Sequence, residues 1–145
     1  MSKPTPNGRD AYRYFQAIPT RWIDNDVYGH VNNVVYYSYF DTIVNQYLIE
    51  HGALDIEISQ VVGLVVETGC QYFSPITFPD AVTAGLRVTR VGTSSVRYEI
   101  GIFRNAEQVA SAQGSFIHVY VDRTTRRSTP LPAALRTAVE RILIS

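Results

Sequence analysis

The residue types able to do chemistry are concentrated in one short segment, Arg21-Trp-Ile-Asp-Asn-Asp-Val-Tyr-Gly-His-Val-Asn-Asn-Val-Val-Tyr36. Two carboxylates, Asp24 and Asp26, stand just ahead of a largely apolar run, with Gly29 and His30 between them and its body. If that run is a helix, its first backbone N–H groups have no intrahelical acceptor. The macrodipole adds partial positive charge at the same end. A carbonyl held there would have its developing oxyanion stabilised, one such donor being worth about 2.7–4 kcal/mol. A carboxylate beside it would serve as nucleophile or as base toward water. The same residues have a plainer use. Asp ahead of a helix commonly caps it or closes an Asx turn, favoured by the same electrostatics. Local chemistry leaves both uses open for Asp26.

Such a segment needs a helix behind it and something to hold that helix. From about Val31 to Ile49 the length of the apolar pattern favours a helix, with Asn32 and Asn33 as N-cap candidates and His51-Gly52 as its stop. Apolar positions cover most of its circumference, so it must be enclosed. Asp41, Asn45 and Gln46 interrupt the run and make a bilayer a poor enclosure. The rest reads as strands: residues 11–23, irregular at Pro19; Gln60–Ile76, Val-rich with a bulge at Gly69; 81–91; 96–102; and 108–122. Turns fall at Gly92–Ser95 and Asn105–Glu107, and Pro130 and Pro132 precede a short helix over about 132–143. This order predicts an α+β fold, an antiparallel sheet of five or six strands wrapped around one long central helix.

Composition narrows the partners. A chain of 145 residues fits one domain, with residues 1–10 reading as a flexible tail. Thirteen basic and 13 acidic residues cancel, which removes the argument for a nucleic-acid or anionic-membrane partner. Cys70 is the single cysteine, so no intrachain disulfide forms; it reads as a small buried apolar residue. No apolar h-region and no apolar stretch of about 18 residues is present, so a cytoplasmic setting is expected. Three histidines and one cysteine show no ligand spacing, so no metal is expected.

Further candidates are more scattered. Glu67 lies in the Val-rich strand that would face the helix start. Tyr28, Tyr36, Tyr37 and Tyr39 would line an apolar or aromatic pocket, or fill the core. Arg87, Arg90, Arg123, Arg126 and Arg127 offer forks suited to phosphate. His51, at a helix end, and His118, in a strand pattern, need no role beyond structure.

The Arg21–Tyr36 segment resembles the signature of the hotdog-fold thioesterases, in particular the 4-hydroxybenzoyl-CoA thioesterase-like family. Tyr72-Phe-Ser-Pro75 and Leu86 to Tyr98 resemble that family's second and third strands, so the likeness spans most of residues 18–122. It implies that the second Asp of the Asp-x-Asp pair, Asp26, is catalytic, with Gly29 as the following glycine and the Asn33 backbone N–H as oxyanion donor. It implies an acyl-CoA substrate cleaved to acid and CoA with no separate cofactor. It also implies a homodimer or homotetramer paired at sheet edges, with the site between protomers. His30-Val-Asn-Asn33 further resembles the plant acyl-carrier-protein thioesterases, whose site joins an Asp, an Asn two residues later and a His four residues later. Asp26 and His30 match; Tyr28 stands in place of the Asn, so His30 is either a catalytic helper near the substrate or a structural residue, the structural reading being favoured. Two alternatives share the fold. Hotdog hydratases place a His five residues after the Asp, with a Pro between. A non-catalytic acyl-CoA-binding module would need no carboxylate at Asp26.

Overall fold

Period-two alternation organises most of the chain. The computed structural model, which describes residues 4–55 and 57–144, contains five strands: β1 (Tyr14–Pro19), β2 (Val61–Tyr72), β3 (Ala81–Val91), β4 (Ser95–Arg104) and β5 (Ala112–Asp122). They form one sheet in the order β1-β3-β4-β5-β2, with every neighbouring pair antiparallel. Val82, Ala84, Leu86 and Val88 of β3 and Val96, Tyr98, Ile100 and Ile102 of β4 are buried on one face. The residues between them point to the other face.

Helix α1 (Val35–Glu50) lies on the buried face. Tyr36, Phe40, Ile43 and Tyr47, with Val44 and Leu48, recur at helical spacing and are buried. Each such side chain stabilises the fold by about 1.5–3 kcal/mol. Gly114 of β5 lets the Phe40 ring sit on the sheet; a Cβ there would collide with that ring and with the Gly69 carbonyl. Helix α2 (Ala133–Arg141) closes the end of the core, and the Tyr47 hydroxyl donates to its Ala138 carbonyl at 2.6 Å. Enclosure of α1 is one-sided, however. Ser38, Asp41 and Thr42 form an exposed stripe, and Val34 and Ile49 are exposed at its ends.

Several boundaries differ from the sequence-based expectation, for local reasons. The strand expected over 11–23 is confined to β1, because Arg21–Asp24 turns into a 3-10 helix in which the Asp24 carboxylate accepts the Arg21 N–H at 2.9 Å. The helix expected from Val31 begins at Val35. Val31 is used instead in a bridge to Asn25, and its N–H donates to Ile76 at 2.7 Å. β2 ends at Tyr72, and its bulge lies between Val65 and Glu67, not at Gly69. The tail expected over 1–10 is docked from Thr5 onward. Gln113 binds both the Asn7 N–H and the Thr5 carbonyl, and Gly8 bridges to Val109.

Candidate active site

Asp24 is the anchor of the segment. It is fully buried. One carboxylate oxygen accepts the Arg21 N–H and the Tyr39 hydroxyl, at 2.9 and 2.8 Å. The other accepts Arg21 Nε at 3.0 Å and forms an ion pair with Arg21 Nη2 at 2.8 Å. Burial would push this carboxyl up, yet the Arg21 backbone and side-chain hydrogen bonds, with that of Tyr39, hold it below the usual carboxylate range. Asp24 is therefore a structural link from the loop to α1. Its backbone carbonyl accepts the Asn32 N–H at 2.8 Å and so fixes where the helix approach begins.

Between Asn25 and Val31 the chain makes a tight loop. Asp26 closes it: its N–H donates to the His30 carbonyl at 2.8 Å, and its carbonyl accepts the Gly29 N–H at 3.0 Å. Gly29 sits at φ +82°, a left-handed conformation that favours glycine. The Asp26 side chain forms an Asx turn, accepting the Tyr28 N–H at 2.8 Å through one oxygen. Its second oxygen has no partner among the described residues. Asn25 ties the loop to the segment ahead of β3, its Oδ1 accepting the Phe78 N–H at 3.0 Å.

The approach to α1 leaves one donor over. Asn32 Oδ1 accepts the Val34 N–H at 3.0 Å, and the Asn32 carbonyl accepts the Val35 N–H at 2.9 Å. The Asn33 carbonyl accepts the Tyr72 hydroxyl at 3.0 Å. Among the described residues nothing accepts the Asn33 N–H. Neither Asn caps α1 as expected: its N-cap is Val34, without a side-chain cap, and Asn32 makes an Asx turn just ahead of it.

Asp26, Tyr28, His30, Asn33, Tyr36 and Tyr72 share one open cleft of ≈ 460 Å³, which Phe73, Ser74 and Pro75 also line. Burial pushes the Tyr36 phenol up to about 12 and raises Tyr72 as well, so both hydroxyls stay protonated donors near neutral pH. The rings of Tyr36 and Tyr72 meet edge to face at 5.1 Å. The cleft therefore combines a carboxylate oxygen, an unpaired N–H and an aromatic wall.

Other sequence candidates stand elsewhere. Glu67 pairs with Ile117, on the sheet face away from α1. The bulge just before it adds one residue, and a one-residue step turns a side chain to the opposite face. Arg87 is on that outer face too, held by Glu99 at 2.7 Å beneath the Tyr12 ring. Arg90 is exposed near the far end of β3. Arg123, Arg126 and Arg127 follow β5, and none lines the cleft. Tyr37 and Tyr39 pack against or within the core. His51 ends α1, its Nδ1 2.9 Å from the Tyr47 carbonyl. Cys70 is half-buried. Tyr72 and residues 73–75 complete the cleft. Their sequence signal was a polar-tipped aromatic ending a strand, followed by Ser-Pro.

Known proteins align with this arrangement. A model of the thioesterase-like superfamily matches residues 19–139. The PA5185 protein of Pseudomonas aeruginosa strain PAO1 is 50% identical, with a TM-score of 0.95, covering 97% of this chain and 99% of that one. The PA2801 protein of Pseudomonas aeruginosa is 31% identical, with a TM-score of 0.79 over 86% of this chain and 96% of its own. A thioesterase from Thermus thermophilus, solved with coenzyme A and Zn, is 29% identical, with a TM-score of 0.76 over 92% of this chain and 96% of its own. With five antiparallel strands, a helix against them, and a family match across most of its length, the chain belongs to the thioesterase-like superfamily.

Proposed function

We propose that the cleft hydrolyses an acyl-CoA thioester, in a hotdog fold of the 4-hydroxybenzoyl-CoA thioesterase type. The observation that carries this reading is the pairing of an unpaired Asn33 N–H with the open Asp26 oxygen in one cleft. A thioester carbonyl between them places its oxygen at the N–H as negative charge develops. Asp26 either attacks the carbonyl carbon, giving a mixed anhydride that water then cleaves, or removes a proton from an attacking water. In both routes the C–S bond breaks, the acid forms, and CoA leaves as its thiol. The chemistry uses water and no separate cofactor. Gly29 shapes the loop, His30 holds Asp26 through its backbone carbonyl, and Tyr28 and Tyr36 border the acyl group. The CoA-bound thioesterase from Thermus thermophilus supports a CoA thioester as substrate class. Arg87 is engaged by Glu99, and Arg90 stands apart, so the reading assigns neither to the cleft.

β2 is a sheet edge with Leu64, Val65 and Val66 exposed, at 40%, 47% and 59%. An apolar edge of this kind pairs readily with another strand. The reading therefore includes a homodimer built on β2, alone or doubled into a homotetramer, in the cytoplasm. Among the described residues no helix is long and apolar enough to cross a membrane.

Thiol release from a panel of aliphatic and aromatic acyl-CoAs, with wild type and Asp26→Asn, tests the proposal. Turnover of at least one substrate, lost in the variant, is the expected result. Full activity in Asp26→Asn sinks the assignment of Asp26. Binding without turnover favours an acyl-CoA-binding module, and hydration of an enoyl-CoA without thiol release favours a hydratase.

A further inference from the structure

The part of the cleft lined by Phe73, Ser74 and Pro75 belongs to no helix or strand, so contacts with other segments must hold it in place. It is pinned at one end to the residue just ahead of β5: the Phe73 and Ser74 N–H groups both donate to the Ser111 carbonyl, at 2.8 and 3.1 Å. At the other end the Ile76 carbonyl accepts the Val31 N–H at 2.7 Å. Pro75 falls between these anchors. Proline has no N–H, so its carbonyl is the one backbone group able to tether it. That carbonyl accepts Arg104 Nη1 at 2.8 Å. Among the described residues no backbone N–H donates to it.

Arg104 is the last residue of β4. By strand alternation it shares the face of Ile100 and Ile102, both fully buried. The pattern calls for another apolar residue there; an arginine stands instead, its side chain 31% exposed. Its direction is set from behind. Arg104 Nε donates to the Glu107 carboxylate, across a turn that the Glu107 N–H closes on the Arg104 carbonyl. Asn105, in the left-handed region at φ +52°, ties that turn to β3. Its N–H donates to the Ala81 carbonyl at 2.7 Å, and its Oδ1 accepts the Ala81 N–H at 2.9 Å. The guanidinium is thus aimed by the turn and delivered to Pro75. Its charge is also felt in the cleft: burial raises the Tyr36 phenol, and Arg104 is among the groups that oppose the rise.

We infer that Arg104 is a positioning residue for acyl selection: by holding the Pro75 carbonyl it fixes the 73–75 wall beside Tyr36 and so sets the width of the cleft at the acyl group. The inference rests on the thioester reading. Arg104 does not itself line the cleft, so it acts through the Pro75 backbone. Its loss should therefore weaken the hold on the acyl group rather than slow the chemical step. A loosened wall holds the fitting acyl group less well and discriminates less against a bulkier one.

Thiol release from short-, medium- and long-chain acyl-CoAs and from benzoyl-CoA, by wild type, Arg104→Met and Arg104→Lys, tests it, with urea denaturation to confirm folding. For the best wild-type substrate, Arg104→Met is expected to raise KM about fivefold, the value of one hydrogen bond, with kcat within about twofold. The preference for that substrate over the next bulkier one is expected to shrink by a similar factor. Arg104→Lys keeps a donor for the carbonyl and is expected to restore most of both. A residue that only stabilised the fold would move the urea midpoint and leave KM and preference alone. Glu107→Ala frees the guanidinium from behind and is expected to raise KM about twofold; it carries the test if Arg104→Met fails to fold. Unchanged KM and preference in a folded Arg104→Met, beside an active wild type, overturn the inference and leave the thioester reading standing. A loss confined to kcat does the same. A wild type that releases no thiol from any of these substrates removes the thioester reading and the inference with it.

Discussion

Replacing Asp24 and Asp26 by Asn, one at a time, separates the two carboxylates that stand two residues apart. Asp24 accepts three hydrogen bonds, from Arg21 N and Tyr39 on one oxygen and from Arg21 Nε on the other, which is also ion-paired to Arg21 Nη2. An amide has one acceptor oxygen, so either orientation turns its NH₂ toward two donors. Hydrogen bonds to a charged group are worth about 1.5–3 kcal/mol each. The Arg21 side chain is 66% exposed, so its share is discounted for solvent screening. A net loss of about 2–3 kcal/mol remains for Asp24→Asn, equivalent to roughly 6–12 °C in Tm. Asp26→Asn is different. Its amide oxygen still accepts the Tyr28 N–H of the Asx turn, so stability moves by about 0.5 kcal/mol or less. Turnover falls by about 10²–10⁴-fold, the range for loss of a general base. Urea denaturation and a continuous thiol-release assay read both quantities. A stable, fully active Asp26→Asn refutes the reasoning, as does an Asp24→Asn that loses turnover with stability intact. The pH sign follows from the lowered carboxyl. Asp24 contributes stability above the unfolded carboxylate value near 3.9, and this is lost as pH falls through its lower folded value. Asp24→Asn should flatten that acid limb.

Tyr72→Phe removes the 3.0 Å bond onto the Asn33 carbonyl; kcat is expected to fall about tenfold with KM little changed, and unchanged kcat in stopped assays would show that Asn33 is held without it. The pKa of His118, depressed to about 4 against about 6.5 unfolded, means that the unfolded chain binds the proton first as pH falls. Stability should therefore drop by about 3 kcal/mol between pH 6.5 and 4, and urea titrations of His118→Leu across that window should lose the slope. Val66→Lys places a charge on the exposed β2 edge and is expected to shift sedimentation toward the monomer; an unchanged oligomer moves the interface elsewhere.

The strands and the helix were legible because their side chains repeat at periods of two and of about 3.6, and burial follows those periods. What the pattern did not carry was decided by contacts distant in sequence. Asp24 and Asp26 look equivalent in the chain; Tyr39, one turn into α1, captures the first and leaves the second facing the cleft. The helix start slid to Val35 because Val31 was claimed by a bridge to Asn25 across the loop and by Ile76, which is far along the chain. Glu67 and the bulge show how little error is needed. Moving the extra residue from Gly69 to the Val65–Glu67 step changes the face that Glu67 and Thr68, between the two positions, occupy. Arg87 reads as a free phosphate ligand until Glu99, its cross-strand partner, is placed against it.

The candidate site follows the same division. Sequence marks the carboxylate, the glycine and the helix that follows; only the fold shows which backbone donor is left over. Asp24 takes the Asn32 N–H, Asn32 takes those of Val34 and Val35, and Tyr72, reaching in from the end of β2, ties the Asn33 carbonyl. With its neighbours committed, the Asn33 N–H is fixed in direction yet without an acceptor. A preorganised donor costs no reorganisation when charge develops beside it. On the proposed reading, any other acyl group brought to Asp26 would meet that same donor, which leaves the acyl pocket, rather than the Asp26 loop, to select the thioester.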